Sequence, residues 1–196
     1  MGSDERLRLF LGLRPPDAAL DTLAAWQHEH LAGVRIVPRQ NLHVTLAFLG
    51  HRAAGELPGI LEVLHAAAAG VGERPRLTPV RYRETRSVGM LVLDDEGGRA
   101  GALAADLHER LEVLGVYRRE ARTWLPHLTV ARFREPKGLR PPPPNRGTYV
   151  LIPSDASAYL SRLRPSGAQY ELLESIEFSA GHRPGSTELK KSTRLS

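Results

Sequence analysis

The sequence has no cysteine, only three lysines (Lys137, Lys190 and Lys191), and no apolar run of the eighteen or so residues that a membrane-spanning helix requires. Without cysteine there is no disulfide, no thiolate nucleophile, no Cys-ligated zinc and no iron–sulfur cluster. Catalysis must then come from His, carboxylate, hydroxyl or Arg. The opening residues, Met1-Gly2-Ser3-Asp4-Glu5-Arg6, lack the basic segment and apolar core of a secretion signal and the Ser/Thr of a myristoylation signal. A cytoplasmic protein with no membrane partner is expected.

The scarcity of lysine makes the positive charge almost wholly arginine. Of 27 basic residues 24 are Arg, against 22 acidic ones, for a net charge of +5. Arg suits bidentate phosphate recognition, but a GC-rich genome would give the same bias together with the many Ala, Gly and Pro. Much of the excess also sits at the end of the chain. From Gly181 onward Arg183, Lys190, Lys191 and Arg194 face only Glu188, and with no apolar periodicity there, 181–196 is expected to be a basic, disordered tail behind one domain of residues 1–180. That length supports a single core.

The patterning repeats. Arg6–Leu13 alternates and then turns apolar before Pro15-Pro16, as a strand does, and Asp17–Leu31 places Leu20, Leu23, Ala24 and Leu31 at helical spacing, with Gln27 the polar interruption on that face. Asn41–Gly50 reads as a second strand and Gly55–Ala69 as a helix. Strands are again expected at Arg76–Arg83 and Val88–Leu93, followed by a turn at Asp94–Gly98, a helix over Ala102–Leu114 ended by Gly115, and a strand at Leu125–Phe133. Each closing strand carries His-x-Thr, His43 and His127 being 84 residues apart, and the helix ends Trp26–Leu31 and Asp106–Leu111 also correspond. A duplicated, two-lobed α+β unit explains both features. Beyond it, Pro141–Pro144 forms an extended loop, and Thr148–Ile152, Ala156–Leu163 and Gln169–Phe178 read as three further strands.

Residues two apart in a strand share a face, so His43 projects with Thr45, and His127 with Thr129, while Leu42, Val44, Leu46 and Phe48 are expected in the core. Two lobes facing one another would bring two imidazoles and two hydroxyls into one cleft. Such a set suits metal-free cleavage of a phosphate ester: one neutral imidazole takes a proton from water while the other, protonated, gives one to the leaving oxygen. Hydroxyls and an Arg can hold the phosphoryl oxygens. Arg132 is the candidate, although strict alternation puts it on the face opposite His127, so a bulge or the strand end must redirect it. A single His-x-Thr is matched by any buried His bonded to a hydroxyl; two, in matching contexts, favour catalysis.

Asn41-Leu42-His43-Val44-Thr45-Leu46-Ala47-Phe48-Leu49-Gly50 and Pro126-His127-Leu128-Thr129-Val130-Ala131-Arg132 resemble the paired signatures of the two-histidine phosphoesterase superfamily, and within it the RNA 2′,3′-cyclic phosphodiesterases, formerly called 2′-5′ RNA ligases. The likeness extends to the strand Leu7–Leu13 and the hairpin Ser161–Glu171, and so covers most of 6–178. It implies a bilobal, pseudo-twofold fold with two antiparallel sheets facing a central cleft. It also implies hydrolysis of a terminal 2′,3′-cyclic phosphate to a 2′-phosphomonoester without metal or other cofactor. By position, His43 would be the general acid and His127 the general base, with Thr45, Thr129 and Arg132 holding the phosphate. The partners implied are RNA ends or nucleotides bearing that cyclic phosphate, met by a monomer. The rival readings are 2′-5′ ligation, a phosphodiesterase acting on another cyclic or 2′-linked nucleotide, and a non-catalytic RNA- or nucleotide-binding module.

The remaining histidines offer less. His28 and His30 fall on different helix faces, His65 has no evident partner, His108 reads as a solvated helix position, His51 as a surface loop near the first motif, and His182 lies in the tail. Tyr82, Trp124, Phe133 and Tyr149 are expected to pack rather than stack on bases, Trp124 being the most open of them to either role. The clusters Arg81, Arg83, Arg86 and Arg118, Arg119, Arg122 read as solvated faces.

Overall fold

The computed structural model describes residues 5–144, 149–165 and 167–178. The expected tail from 181, with His182, lies outside the described residues. Within them, eight strands and three α-helices follow one another as β1 (Arg6–Leu13), α1 (Asp17–His30), β2 (Arg35–Ile36), β3 (Val44–Ala53), α2 (Leu57–Ala69), β4 (Arg76–Glu84), β5 (Val88–Glu96), α3 (Arg99–Val113), β6 (His127–Arg132), β7 (Asp155–Arg164) and β8 (Gly167–Glu177). The α+β class and the repeated strand–helix–strand order agree with the sequence pattern. Thr148–Ile152 is the exception: Thr148 is outside the described residues, and of the rest only Leu151 makes an isolated bridge, to Leu77. Tyr149, two residues earlier, is held instead by its hydroxyl, which donates to the Ala19 carbonyl.

The strands run in the order β4-β5-β6-β3-β1-β7-β8, all neighbours antiparallel, with β2 beside β6. The two expected sheets, β4-β5-β6 and β3-β1-β7-β8, are joined through one residue pair, Val44 opposite Leu128, into a single continuous sheet. The core lies under the helices: Leu9, Leu11 and Leu13 of β1 alternate inward against Leu20 and Leu23 of α1, Ile60 and Leu64 of α2, and Leu103, Leu107 and Leu111 of α3. Of the expected turn at Asp94–Gly98, Asp94–Glu96 continue β5 and only Gly97 and Gly98 turn, but the Asp95 carboxylate accepts the backbone N–H groups of Ala100 and Gly101 at the helix start. Gly115 ends that helix at φ +79°, a conformation that costs glycine nothing.

Candidate active site

The site is built on the seam. Because β3 and β6 are antiparallel and Val44 faces Leu128, one step to either side sets His43 across from Thr129 and Thr45 across from His127. The two His-x-Thr units therefore form one cluster. His43, Thr45, Thr129 and Arg132 line a cavity of about 300 Å³ with Arg8, Phe10, Asn41, Phe48 and Tyr170. His127 is not among the residues lining that cavity; it stands half-buried on the same face of β6 as Thr129, and its charge acts on His43.

Both imidazoles are fixed in the same way. His43 Nδ1 lies 2.7 Å from the carbonyl of Asn41, and His127 Nδ1 lies 2.8 Å from that of Leu125, each two residues earlier in the chain. A carbonyl only accepts, so each Nδ1 carries the hydrogen, and each Nε2 remains to take up or release a proton. Close packing completes the placement of His43. Gly12 of β1 passes so near that a Cβ there would lie 2.9 Å from the Val44 carbonyl oxygen and 3.5 Å from the imidazole Cδ2.

The register explains Arg132. Between Gly89–Ala131 and Met90–Thr129, β6 holds one residue more than β5, so Val130 is a bulge. Val130 and Ala131 are both buried, and Arg132 returns to the face of His127 and Thr129, the redirection that strict alternation required. The same device occurs in β3. Leu46 is the extra residue between Leu11–Ala47 and Gly12–Thr45; Leu46 and Ala47 are both buried, and the next residue faces the cleft. That residue is Phe48, 48% exposed. The expectation of a core Phe48 is therefore corrected: the bulge shifts the alternation by one. Phe48 and Arg132 hold equivalent positions, each five residues beyond its histidine.

The carbonyl of each bulged residue accepts from a buried polar side chain, that of Val130 in addition to the Val37 backbone N–H at 2.9 Å. His108 Nε2 donates to the Leu46 carbonyl at 2.8 Å; the amide of Gln27 donates to the Val130 carbonyl at 2.7 Å and to that of Val37 at 2.9 Å. At 7% exposure, with its ring stacked on Tyr117, His108 is not the solvated helix position that the sequence suggests. Each helix thus reaches across the seam, α1 to β6 and α3 to β3.

Aromatic rings enclose one side of His43. Phe10 lies 4.6 Å away between centroids, Tyr170 5.2 Å edge-on and Tyr159 6.3 Å. This desolvation is the main reason its pKa falls from 6.5 to about 4; the Asn41 carbonyl opposes the fall, and the charges of His127 and Arg132 add to it. The protein's own groups therefore keep His43 neutral at neutral pH. Arg8 is a second guanidinium in the cleft, 4.7 Å above the Phe48 ring and donating to Ser161 Oγ at 2.5 Å. Sequence reasoning missed Arg8, Phe10, Asn41, Tyr159 and Tyr170. The signal for two of them is present in β1, where Arg6, Arg8, Phe10 and Gly12 alternate with Leu7, Leu9, Leu11 and Leu13, so Arg8 and Phe10 share the face of Gly12.

The other candidates are placed elsewhere. Trp124 supports the site from outside, its indole N–H donating to the Thr45 carbonyl at 3.0 Å, and Tyr82, Tyr149 and Phe133 pack on the core. His65 does have a partner, Glu174 of β8. Arg119 and Arg122 pair with Glu112 and Glu120. Among the described residues, no group of three or more His, Asp or Glu is placed to hold a metal ion, and no helix is long and apolar enough to cross a membrane.

The family model described as LigT like Phosphoesterase matches residues 13–74. The chain is 31% identical over 195 residues to an RNA 2′,3′-cyclic phosphodiesterase of Thermus thermophilus, covering 90% of this chain and 92% of that one. Among solved structures it is similar to TT0787 of Thermus thermophilus, with TM-score 0.69 and 28% identity over 88% of this chain and 98% of the other. It is also similar in fold to E. coli LigT complexed with NADP+, with TM-score 0.74 and 22% identity over 89% and 99%.

Proposed function

The chain belongs to the RNA 2′,3′-cyclic phosphodiesterase family, and from that premise we propose that it hydrolyses a terminal 2′,3′-cyclic phosphate to a 2′-phosphomonoester, with His43 as general acid and His127 as general base. The observation that carries this is the cluster across the Val44–Leu128 pair, with both Nδ1 atoms committed to backbone carbonyls and both Nε2 atoms left for proton transfer. Water attacks phosphorus as His127 Nε2 takes its proton. The P–O3′ bond breaks, and His43 Nε2–H delivers a proton to the departing O3′, leaving a 3′-hydroxyl and a 2′-phosphate. Thr45, Thr129 and Arg132 hold the non-bridging oxygens, where negative charge grows.

The neutrality of His43 fits the acid role once the substrate is considered. An acid must enter the step protonated, and the anion that Arg132 draws in is the charge that restores the imidazole's affinity for a proton. His43 then takes its proton from solvent as the substrate binds. Phe48 offers the terminal base a stacking face beside the phosphate site. We read the protein as a monomer, and residues 1–180 as one bilobal domain acting in the cytoplasm without a metal.

The test is turnover of adenosine 2′,3′-cyclic phosphate followed by 31P NMR. The 2′-phosphate should be the product, unchanged by EDTA, and His43→Ala or His127→Ala should lower the rate by roughly 10³-fold or more at unchanged fold, on the order of the loss of a general acid or base. Full activity in either variant refutes the assignment.

A further inference from the structure

Gln27 is 1% exposed and lies among Ala19, Leu20, Leu23 and Trp26 on the buried face of α1. The helix is anchored on both sides of it. Leu20 and Leu23 sit in the core, the Trp26 indole N–H donates to the Pro142 carbonyl at 2.9 Å, and the Ala19 carbonyl accepts from the Tyr149 hydroxyl. A buried amide destabilises a core unless its hydrogens are met, and Gln27 directs both of its own at backbone, one at the Val37 carbonyl and one at that of Val130. The two carbonyls belong to different segments, Val37 directly after β2 and Val130 in β6. One side chain thus braces a ladder that otherwise consists of the pairs Arg35–Arg132 and Ile36–Ala131 and the bond from the Val37 N–H to the Val130 carbonyl.

Resting on the proposed role of Arg132 at the phosphate, we propose that Gln27 is a positioning residue of the active site: by holding the carbonyl of the bulged Val130, it fixes where the bulge lies in β6 and with it the aim of Arg132. An extra residue in a strand reverses the face of every side chain beyond it. Set before Arg132, it puts the guanidinium in the cleft with Thr129; set after, it would leave the guanidinium on the core face. The side chains of Val130 and Ala131 do not choose the place, since both are apolar and fully buried. Nor does β5, whose Gly89 and Met90 pair with Ala131 and Thr129 and leave Val130 unopposed.

What singles out Val130 is its carbonyl, which two donors reach from the side away from β5. One comes from the neighbouring segment and the other from a helix packed in the core, so the oxygen is held against a frame more rigid than the short β2 ladder. Arg132 is exposed at the end of the strand. Its aim therefore comes from the backbone beneath it, and a bulge that loosens lets the guanidinium move off the phosphoryl oxygens, where small displacements have large effects on rate.

The experiment is a double-mutant cycle on turnover of adenosine 2′,3′-cyclic phosphate by the full chain, with Gln27→Met, Arg132→Met and the two together, each assayed well below its own thermal midpoint. Gln27→Met keeps the shape and removes both donors. It should lower kcat by roughly tenfold with KM changed less than about twofold, and by less than about twofold in kcat when Arg132→Met is already present, because no guanidinium is left to aim. An equal loss in both backgrounds would overturn the positioning role, as would an unchanged kcat in Gln27→Met. Gln27→Glu, of similar shape and able to donate one hydrogen only when protonated, takes its place in the cycle if Gln27→Met does not fold; unfolding of both would assign Gln27 to the core alone and overturn the proposal. Absence of turnover by the unmodified protein would overturn the cyclic-phosphodiesterase reading, and full activity in Arg132→Met would overturn the phosphate-holding role; either removes this proposal as well.

Discussion

Sulfate should return His43 to an ordinary proton affinity. Phe10, Tyr170 and Tyr159 strip water from its ring, His127 and Arg132 add positive charge, and together they outweigh the Asn41 carbonyl, leaving a pKa of about 4 against 6.5. At 1.36 kcal/mol per unit this difference is about 3 kcal/mol. One negative charge about 5 Å away, at an effective dielectric constant near 20, contributes about 3 kcal/mol in the opposite direction. A dianion held by Arg132 should therefore offset the depression, and sulfate keeps its charge across the whole window. Its affinity should tighten as pH falls from about 6.5 to 4, by close to tenfold per unit, with one proton taken up by His43. The assay is the His43 Cε1–H resonance, identified by its loss in His43→Gln, titrated with and without sulfate; calorimetry at about pH 5.5 in two buffers of different ionisation enthalpy counts the protons. A His43 that titrates near 6.5 without sulfate, or that binds sulfate with no shift, would refute the argument. The same difference acts on folding. The unfolded chain binds this proton from about 6.5 and the folded chain only near 4, so the stabilisation is complete above 6.5 and is lost as pH falls through that window.

Gly12→Ala should lower kcat/KM by about tenfold or more and reduce stability by about 1–3 kcal/mol, because the new methyl meets the Val44 carbonyl oxygen, backbone that cannot swing away; urea melts and steady-state kinetics check both. His108→Leu and Gln27→Leu should each cost about 1–3 kcal/mol in unfolding free energy by leaving the buried Leu46 or Val37 carbonyl unmet. A conservative His108→Gln should recover part of that loss in the same thermal melts. Arg132→Met should reduce kcat by about 10²-fold with little change in thermal midpoint, since the side chain is exposed and its proposed role is in the transition state.

The legible part of this protein was the part written in local periodicity. Leucines at helical spacing marked α1 and α3, and the two His-x-Thr strands marked the cleft, because alternation alone puts each His beside its Thr. Alternation also showed what it could not explain. Arg132 sat on the wrong face for its proposed role, which required a bulge, and the bulge lies at Val130. The same shift at Leu46 moved Phe48 from core to cleft, and there no chemical demand on the residue exposed the misreading. What stayed hidden depends on contacts distant in sequence. His108 meets a carbonyl 62 residues away, and Gln27 one 103 residues away. Nothing near either residue distinguishes a buried donor from a solvated one. The enclosure of His43 has the same origin, its rings arriving from β1, β7 and β8.

A site made by twofold repetition has no inherent polarity: from either end it offers an imidazole, then a hydroxyl. A cyclic nucleotide does have polarity, with a base on one side and a reacting phosphorus on the other. The two strands match residue for residue in role, through His, Thr, bulge and buried doublet, and then differ at the fifth position, where one has Phe48 and the other Arg132. That break in the repeat puts an aromatic ring, beneath the Arg8 guanidinium, in one strand where the other has a cation. Together with the rings that enclose His43, it sets the proposed acid and the proposed base in different surroundings.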